Sequence, residues 1–360
     1  MPTVLYVGNF AAPASTENDV RQAFDALGWD VDPLQEAEFT RAFADGSYGR
    51  VYDRALSADL VLHTMTQGSY PDPVAVLDLW AACTRSGIPT ASIHLDLFYG
   101  LSSLKDSGPQ RHELPRSHPM FKVAHVFTAD GGHPELFARD GVNHHWLPPG
   151  VNHHQAVDVE PGPVTVTRHD GQERTVEPQQ YLVGFAGSDG YHPEWPHRPA
   201  LVEWLRATYG DRFLHIGGSS TRRVTGLDLN RVLANVPVWV GDSCLTAPTN
   251  AYWSDRIPET WGRGGFLIHP QVDALDAWYG MPHPGQEWET GDFGALHDEI
   301  ETWLALDVTR SSVRRRMAAH TRTRDTYVQR VEYILAVTGA DQAPAHRDWA
   351  EWADLGDPVG

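Results

Sequence analysis

Two successive series of alternating strand and helix signals constrain this chain more than any other feature of its sequence. In the first series, short apolar runs that end in turn residues predict strands at Val4–Val7, Leu60–His63, Pro89–His94 and His125–Thr128. Amphipathic segments between these runs predict helices. Strands that alternate with helices form a parallel sheet with helices on both faces. The first series therefore predicts a Rossmann-like α/β domain.

The second series follows a segment of a different kind. Val159–Val176 alternates β-branched residues about an Asp-Gly pair, which predicts a β-hairpin. Further strands are then predicted at Tyr181–Ala186, Phe213–Ile216, Val238–Val240 and Gly265–His269. The end of the chain is predicted to be helical over residues 293–304 and 310–337.

The length of 360 residues accommodates two α/β domains. We expect an N-terminal domain over residues 1–155, a hairpin linker over 156–180, a C-terminal domain over 181–319 and an acidic tail over 340–360. Ligands of open parallel sheets bind at the carboxyl ends of the strands. The predicted fold class is therefore α/β, with two Rossmann-like domains that face a common cleft.

The net charge of −19 argues against a large nucleic-acid surface, because the phosphate backbone repels negative charge. No run of the sequence reaches the roughly 20 apolar residues that cross a bilayer. The first residues lack the basic region and cleavage site of a signal peptide. We therefore expect a soluble, cytoplasmic protein without a membrane span.

Residues 250–270, with the sequence NAYWSDRIPETWGRGGFLIHP, hold the strongest functional pattern. Pro258 suits the first turn of a helix, where its missing N–H costs little. The carboxylate of Glu259 can accept hydrogen bonds from both hydroxyls of a ribose, and the guanidinium group of Arg256 can neutralise phosphate. Glu259 also has a simpler interpretation, as an acidic residue that stabilises the start of a helix.

This segment resembles the donor-site signature of group 1 glycosyltransferases, in particular their CgeB-like branch. The resemblance extends, more weakly, over residues 181–335. It implies a GT-B fold whose residues 181–319 bind a nucleoside diphosphate sugar, of the UDP or GDP type, with no other cofactor. The implied enzyme is a hexosyl- or pentosyltransferase acting on a hydroxyl acceptor. A C-terminal helix at about 320–338 is implied to cross back to the N-terminal domain.

The resemblance also places donor-binding residues at strand ends and within the signature. A glycine loop after the first strand of the C-terminal domain would approach the diphosphate. Besides Glu259 and Arg256, the candidates are Gly187, Ser188, Arg198, Gly217, Gly241, Asn250, Tyr252 and Ser254. Members of that family often have another Glu eight positions before the one at 259. Here that position is Ala251, so Asn250 and Tyr252 are the candidates to replace it.

In the N-terminal domain, His94 and Asp96 alternate at the end of a predicted strand, so that both can face one side. Either residue suits the general base that an inverting transferase needs to deprotonate its acceptor hydroxyl. In a retaining transferase the same groups would orient the acceptor. A strand-end Asp can instead cap the next turn, and this alternative stays open for Asp96.

The 19 histidines raise the question of a metal site. No pair of them has the His-Glu-x-x-His spacing or a cysteine partner, and those at 144, 145, 153 and 154 are predicted to lie in a surface loop. We therefore expect a metal-independent enzyme. Its acceptor would be a small molecule, a protein or a glycan, with a hydroxymethylated DNA base as the alternative. A non-catalytic sugar- or nucleotide-binding module and a nucleotide-sugar epimerase are further alternatives.

Overall fold

The computed structural model describes residues 1–64, 70–99, 108–190, 197–218, 221–243 and 251–340. These residues divide into two compact units. The first unit comprises residues 1–148, 251–252 and 327–340, and the second comprises residues 149–243 and 253–326. The boundary after Pro148 lies earlier than the predicted position at residue 155. The predicted acidic tail lies outside the described residues, apart from its first residue.

Parallel strands and helices alternate along the first unit. The strands are β1 (Thr3–Gly8), β2 (Asp30–Gln35), β3 (Leu60–Thr64), β4 (Thr90–His94), β5 (His125–Thr128) and β6 (His144–Trp146). The helices are α1 (Thr16–Ala26), α2 (Glu36–Ala44), α3 (Gly49–Leu56), α4 (Pro73–Arg85), α5 (Gly108–Ser117) and α6 (Pro134–Arg139). The sheet order is β2-β1-β3-β4-β5-β6. β3 and β4 are buried along their whole length, as expected for strands covered on both faces.

The sequence does not predict β2 or β6, the two edge strands of this sheet. β2 contains Pro33, which an edge strand tolerates because no neighbour needs its missing N–H. β6 contains His144 and His145, which were expected in a surface loop. The ring of His144 stacks on Phe137 with centroids 4.1 Å apart. Burial lowers the pKa of His144 to about 3, so this histidine is a neutral ring of the core.

The second unit repeats the alternation around a smaller sheet. The strands are β7 (Val164–Thr167), β8 (Glu173–Val176), β9 (Val183–Ala186), β10 (Phe213–Ile216), β11 (Val238–Val240) and β12 (Leu267–Ile268). The helices are α7 (His197–Tyr209), α8 (Gly226–Asn235), α9 (Arg256–Gly262), α10 (Asp273–Tyr279), α11 (Phe293–Ala305) and α12 (Asp307–Arg324). The parallel sheet has the order β10-β9-β11-β12, and β7 and β8 form the predicted antiparallel hairpin.

The sequence had suggested that the hairpin is a linker between the two domains. It is instead part of the second unit. Asn235, at the end of α8, donates to the carbonyl oxygens of Gly162 and Val176 at 2.8 and 3.0 Å. Arg168, at the hairpin turn, forms an antiparallel bridge with Thr221. These bonds fasten both ends of the hairpin to its own unit.

The helix predicted over residues 310–337 is in fact two helices, α12 and α13 (Tyr327–Thr338). The indole N–H of Trp278 donates to Oδ1 of Asp325 at 2.9 Å, which holds the turn between them. α13 lies in the first unit and packs on α1 and β5, whereas α12 stays in the second. This confirms the predicted return of the chain end to the first domain.

Candidate functional site

The order of strands reverses beside β9 in the sheet of the second unit. The chain passes from β9 to β10 on one side and then to β11 on the other side. Open α/β sheets bind ligands at the carboxyl ends of the strands that flank such a reversal. The residues at these ends are Gly187 and Ser188 after β9, and Gly241 and Asp242 after β11. Asp242 is the one of these four that the sequence analysis did not select.

A buried carboxylate between two arginines occupies this place. Nε of Arg198 donates to Oδ2 of Asp242 at 2.6 Å, and its Nη2 donates to Oδ1 at 3.3 Å. Arg256 donates from Nη1 to the same carboxylate, and from Nε to the carbonyl oxygen of Ala186 at 2.7 Å. The side chains of Arg198, Arg256 and Asp242 are 6%, 11% and 5% exposed. We call these three residues the arginine cluster.

The arginine cluster combines two positive charges with one negative charge. Burial raises the pKa of the Asp242 carboxyl, but Arg256 and Arg198 outweigh burial and hold that pKa below its usual value. The carboxylate is therefore ionised, and one positive charge is left in excess within the cluster. Guanidinium groups match the oxygen pairs of phosphate, so this place is suited to bind a phosphate-bearing anion. The signal for Asp242 in the sequence is a carboxylate directly after a buried strand.

Glycine backbone lies close to the arginine cluster. Gly187 has a φ of 151°, and a Cβ there would lie 2.6 Å from Nη2 of Arg256. Gly217, after β10, has a φ of 89°, and its Cβ would lie 3.0 Å from the carbonyl oxygen of Gly187. Oγ of Ser188 accepts a hydrogen bond from Arg198 at 3.3 Å. The structure thus brings most of the predicted strand-end residues together.

Glu259 lies within α9 and is paired with a third arginine. Its Oε2 is 2.5 Å from Nε of Arg263, and Nη1 of Arg263 donates to Oδ1 of Asn230 at 2.8 Å. This ion pair fixes the Glu259 carboxylate, which is 24% exposed. The amide of Glu259 donates to the carbonyl oxygen of Asp255 at 2.9 Å. That amide is therefore already bonded inside the helix and is not available to an anion.

The remaining donor-site candidates differ in their placement. Ser254 lies two residues before α9, and its buried Oγ has no hydrogen-bond partner among the described residues. Tyr252 is 6% exposed and is grouped with the first unit. The carbonyl oxygen of Ala251 accepts from the amide of Gly131 at 3.0 Å. Asn250 lies outside the described residues.

In the first unit, His94 and Asp96 have different environments. His94 is 3% exposed, and its ring stacks on Phe121 with centroids 4.5 Å apart. Burial, reinforced by His118, lowers the pKa of His94 to about 3, so the ring is neutral at physiological pH. Asp96 is half-buried, and its carboxylate makes no hydrogen bond within the part of the chain that the structure describes.

Asp130, and not Asp96, caps the turn that follows β4. Oδ2 of Asp130 accepts hydrogen bonds from the amides of Phe98 and Tyr99 at 2.9 and 2.7 Å. The capping role that the sequence left open for Asp96 is therefore filled by another residue. The alternative role, as a general base, stays a prediction.

The strand order of the first unit reverses beside β1, because β2 lies on one side of β1 and β3 on the other. There the hydroxyl groups of Tyr6 and Thr64 are hydrogen-bonded at 2.7 Å. Glu17, in the first turn of α1, lies so close to Gly8 that a Cβ there would be 2.8 Å from Cγ of Glu17. Burial raises the pKa of the Glu17 carboxyl. The sequence alone does not single out Glu17, because an acidic residue is ordinary in the first turn of a helix.

Neither a membrane-spanning helix nor a metal-binding cluster occurs in the described ranges. None of the helices in these ranges is both long and apolar enough to cross a bilayer. The same ranges contain no group of three or more His, Cys, Asp or Glu side chains arranged to hold a metal ion.

The family that the sequence matches covers the part of the second unit that contains the arginine cluster. Residues 187–336 match the model of a family described as glycosyl transferase-like. This segment, less than half of the chain, contains the whole arginine cluster and Glu259. No curated protein sequence matches the chain.

Solved structures with a similar fold cover nearly the whole chain at low sequence identity. HepE of Anabaena in complex with UDP is 12% identical with a TM-score of 0.54, over 95% of this chain and 100% of that chain. An α-glucosyltransferase solved with UDP and a DNA 13-mer containing an HMU base is 7% identical with a TM-score of 0.58, over 94% and 100%. The trehalose-6-phosphate synthase OtsA is 10% identical with a TM-score of 0.53, over 96% and 100%. These similarities confirm the predicted GT-B fold, and with the family match they support a glycosyltransferase.

Proposed function

We propose that this protein is a glycosyltransferase that moves a sugar from a nucleoside diphosphate sugar to a hydroxyl acceptor. The arginine cluster carries the proposal, because it lies at a strand reversal within the segment that matches the glycosyl transferase-like family. A UDP-linked donor is favoured because HepE and the α-glucosyltransferase were solved with UDP. Membership of the CgeB-like branch is part of this proposal and rests on the signature around Glu259.

In the proposed reaction, the bond between the anomeric carbon and the diphosphate oxygen breaks, and the acceptor oxygen bonds to that carbon. Negative charge grows on the departing diphosphate. Arg198 and Arg256, held in place by Asp242, stabilise this charge without having to reorganise during the reaction. Glu259 accepts hydrogen bonds from the ribose hydroxyls. In an inverting reaction, Asp96 takes the proton of the acceptor hydroxyl.

Arg256→Ala tests the assignment of the arginine cluster to the diphosphate. We expect UDP to bind about ten- to a hundredfold more weakly, because a charge-assisted hydrogen bond of about 1.5–3 kcal/mol is lost, with little change for uridine. Glu259→Gln is the matched variant and should weaken uridine and UDP alike, since both contain the ribose. Isothermal titration calorimetry of the wild type and both variants, each with uridine and with UDP, measures these affinities.

Three outcomes distinguish this proposal from its alternatives. Equal losses for uridine and UDP in Arg256→Ala would show that Arg256 serves the structure and not the diphosphate. Release of glucose from UDP-glucose by the wild-type protein, even slowly, would separate an enzyme from a binding module. Formation of a different UDP-sugar without hydrolysis would indicate an epimerase.

Removal of divalent metal ions should leave the rate of UDP release unchanged. The arginine cluster would supply the positive charge that a metal ion otherwise provides to a departing diphosphate. The rate of UDP release from UDP-glucose, measured with and without EDTA, tests this expectation. Loss of turnover in EDTA that Mg²⁺ or Mn²⁺ restores would show that a metal ion takes part.

The proposed acceptor is a hydroxyl of a small molecule, protein or glycan. DNA is the second candidate, because one structural neighbour was solved with DNA that contains an HMU base. The net charge of −19 favours the first candidate, since it weakens association with any polyphosphate strand. An oligonucleotide with a hydroxymethylated base, added to the UDP-release assay, decides between them.

A further inference from the structure

His269 follows β12 and lies beside Gly241, the residue that follows β11. The amide of Gly241 donates to the carbonyl oxygen of Ile268 at 2.8 Å, which aligns the two strand ends. A Cβ at Gly241 would lie 2.9 Å from Cδ2 of His269, so the imidazole covers this glycine. The next residue along the chain is Asp242, at the centre of the arginine cluster. His269 is 1% exposed.

The surroundings of His269 fix its tautomer. Nδ1 lies 2.8 Å from the carbonyl oxygen of Pro270, and because a carbonyl only accepts, Nδ1 carries the proton. His283 donates from Nε2 to the carbonyl oxygens of His269 and Pro270 at 3.1 and 3.3 Å. Nδ1 of His283 in turn lies 2.5 Å from Oδ1 of Asp276. This arrangement leaves Nε2 of His269 with a lone pair and no proton.

Nε2 of His269 is buried and has no hydrogen-bond partner among the described residues. Burial, followed by the neighbouring His283, lowers the pKa of His269 to about 3. The ring therefore stays neutral at physiological pH, and Nε2 acts only as an acceptor. The charges of Asp242 and Arg256 also affect the pKa of His269, so the ring lies close to the arginine cluster.

We propose that Nε2 of His269 accepts a hydrogen bond from a hydroxyl or N–H group of the nucleotide sugar bound at the arginine cluster. This inference rests on the proposed function and adds a residue that recognises the uncharged part of the donor. Phosphate oxygens are acceptors and cannot pair with Nε2. The hydroxyls of the two sugars and the N–H of the base are the groups that can. In this arrangement the two arginines bind the diphosphate, and the neutral acceptor of His269 binds a hydroxyl or N–H group attached to it.

Two substitutions of His269 test this role. His269→Phe keeps a planar ring without the acceptor, whereas His269→Gln offers a carbonyl oxygen in place of Nε2. We expect UDP-glucose to bind His269→Phe about three- to tenfold more weakly than wild type, which is the range for one neutral hydrogen bond. His269→Gln should recover most of this loss. Titrations with UDP, uridine and pyrophosphate locate the ligand group.

The affinities of the different ligands show which group of the nucleotide sugar contacts His269. A loss that uridine shares would assign the contact to the nucleoside, and a loss confined to UDP-glucose would assign it to the transferred sugar. Pyrophosphate should bind wild type and His269→Phe equally. The affinity ratio of wild type to His269→Phe should stay constant from pH 5 to pH 8, because the ring does not titrate there.

His144→Phe is the matched control, because His144 is another buried histidine whose pKa lies at about 3. It should alter the melting temperature without changing the affinity for UDP-glucose. Unchanged affinities for all ligands in a folded His269→Phe would overturn this inference alone, and so would an equal loss for pyrophosphate. Wild-type protein that binds neither UDP-glucose nor UDP would overturn the proposed function together with the inference.

Discussion

Asp242→Ala is expected to lower the free energy of unfolding by about 3–5 kcal/mol, the range for a buried ion pair that loses one partner. The variant leaves Arg198 and Arg256 buried without the carboxylate that both of them bind. Urea denaturation measures the loss. Asp32→Ala is the matched control, because it breaks a half-buried pair with Arg54 and should cost less, about 1 kcal/mol.

Pyrophosphate distinguishes a ligand site from a purely structural ion pair. Two buried guanidinium groups that have lost the Asp242 carboxylate should bind a diphosphate more tightly than the intact arginine cluster does. Pyrophosphate should therefore raise the melting temperature of Asp242→Ala more than that of wild type. Equal stabilisation of the two proteins would place the diphosphate elsewhere. A loss of stability no larger than that of Asp32→Ala would show that Asp242 does not keep the arginines buried.

The contribution of Asp242 to stability has a defined dependence on pH. Burial raises the pKa of its carboxyl in the folded protein, but Arg256 and Arg198 hold that pKa below its usual value. In the unfolded chain an Asp titrates near pH 4. The contribution is thus complete above about pH 4 and is lost as the pH falls through the lower, folded pKa. The difference in unfolding free energy between wild type and Asp242→Asn should shrink below pH 4.

Local patterns predict the central strands of both sheets, because a strand buried on both faces needs an uninterrupted apolar run. The edge strand β2 lacks such a run and contains Pro33, so periodicity misses it. The arginine cluster cannot be predicted from the spacing of its residues along the sequence. Asp242 is separated by 44 positions from Arg198 and by 14 from Arg256, and the three residues meet only because β9 and β11 are neighbours in the sheet.

Single residues are harder to assign, because their environment decides their chemistry. The pair of Glu259 and Arg263 follows the i, i+4 spacing of neighbouring side chains on a helix, so it could be predicted from the sequence. The environment of His94 could not be predicted from the sequence. Its strand position suggested an accessible base, yet Phe121, 27 positions along the chain, stacks on the ring and excludes water.

Asp96→Asn is expected to slow sugar transfer by about a hundred- to ten-thousandfold, the range for removal of a general base. The amide keeps the shape of the side chain but cannot take a proton. The affinity for UDP should be unchanged, since the proposed diphosphate and ribose contacts all lie in the second unit. The melting temperature should stay near that of wild type, because the Asp96 carboxylate makes no hydrogen bond within the described residues. UDP release from UDP-glucose, with water as the acceptor, measures the rate.

Asp130→Ala is the matched control for this variant. Because Asp130 caps the turn at Phe98 and Tyr99, its replacement should cost about 0.5–2 kcal/mol of stability and leave most of the turnover. A near-wild-type rate in Asp96→Asn would end its assignment as the base. The role would not then pass to His94, whose ring is sealed in the core. It would pass to Glu17, because burial raises the pKa of that carboxyl beside the strand reversal of the first unit, and a raised pKa favours proton acceptance.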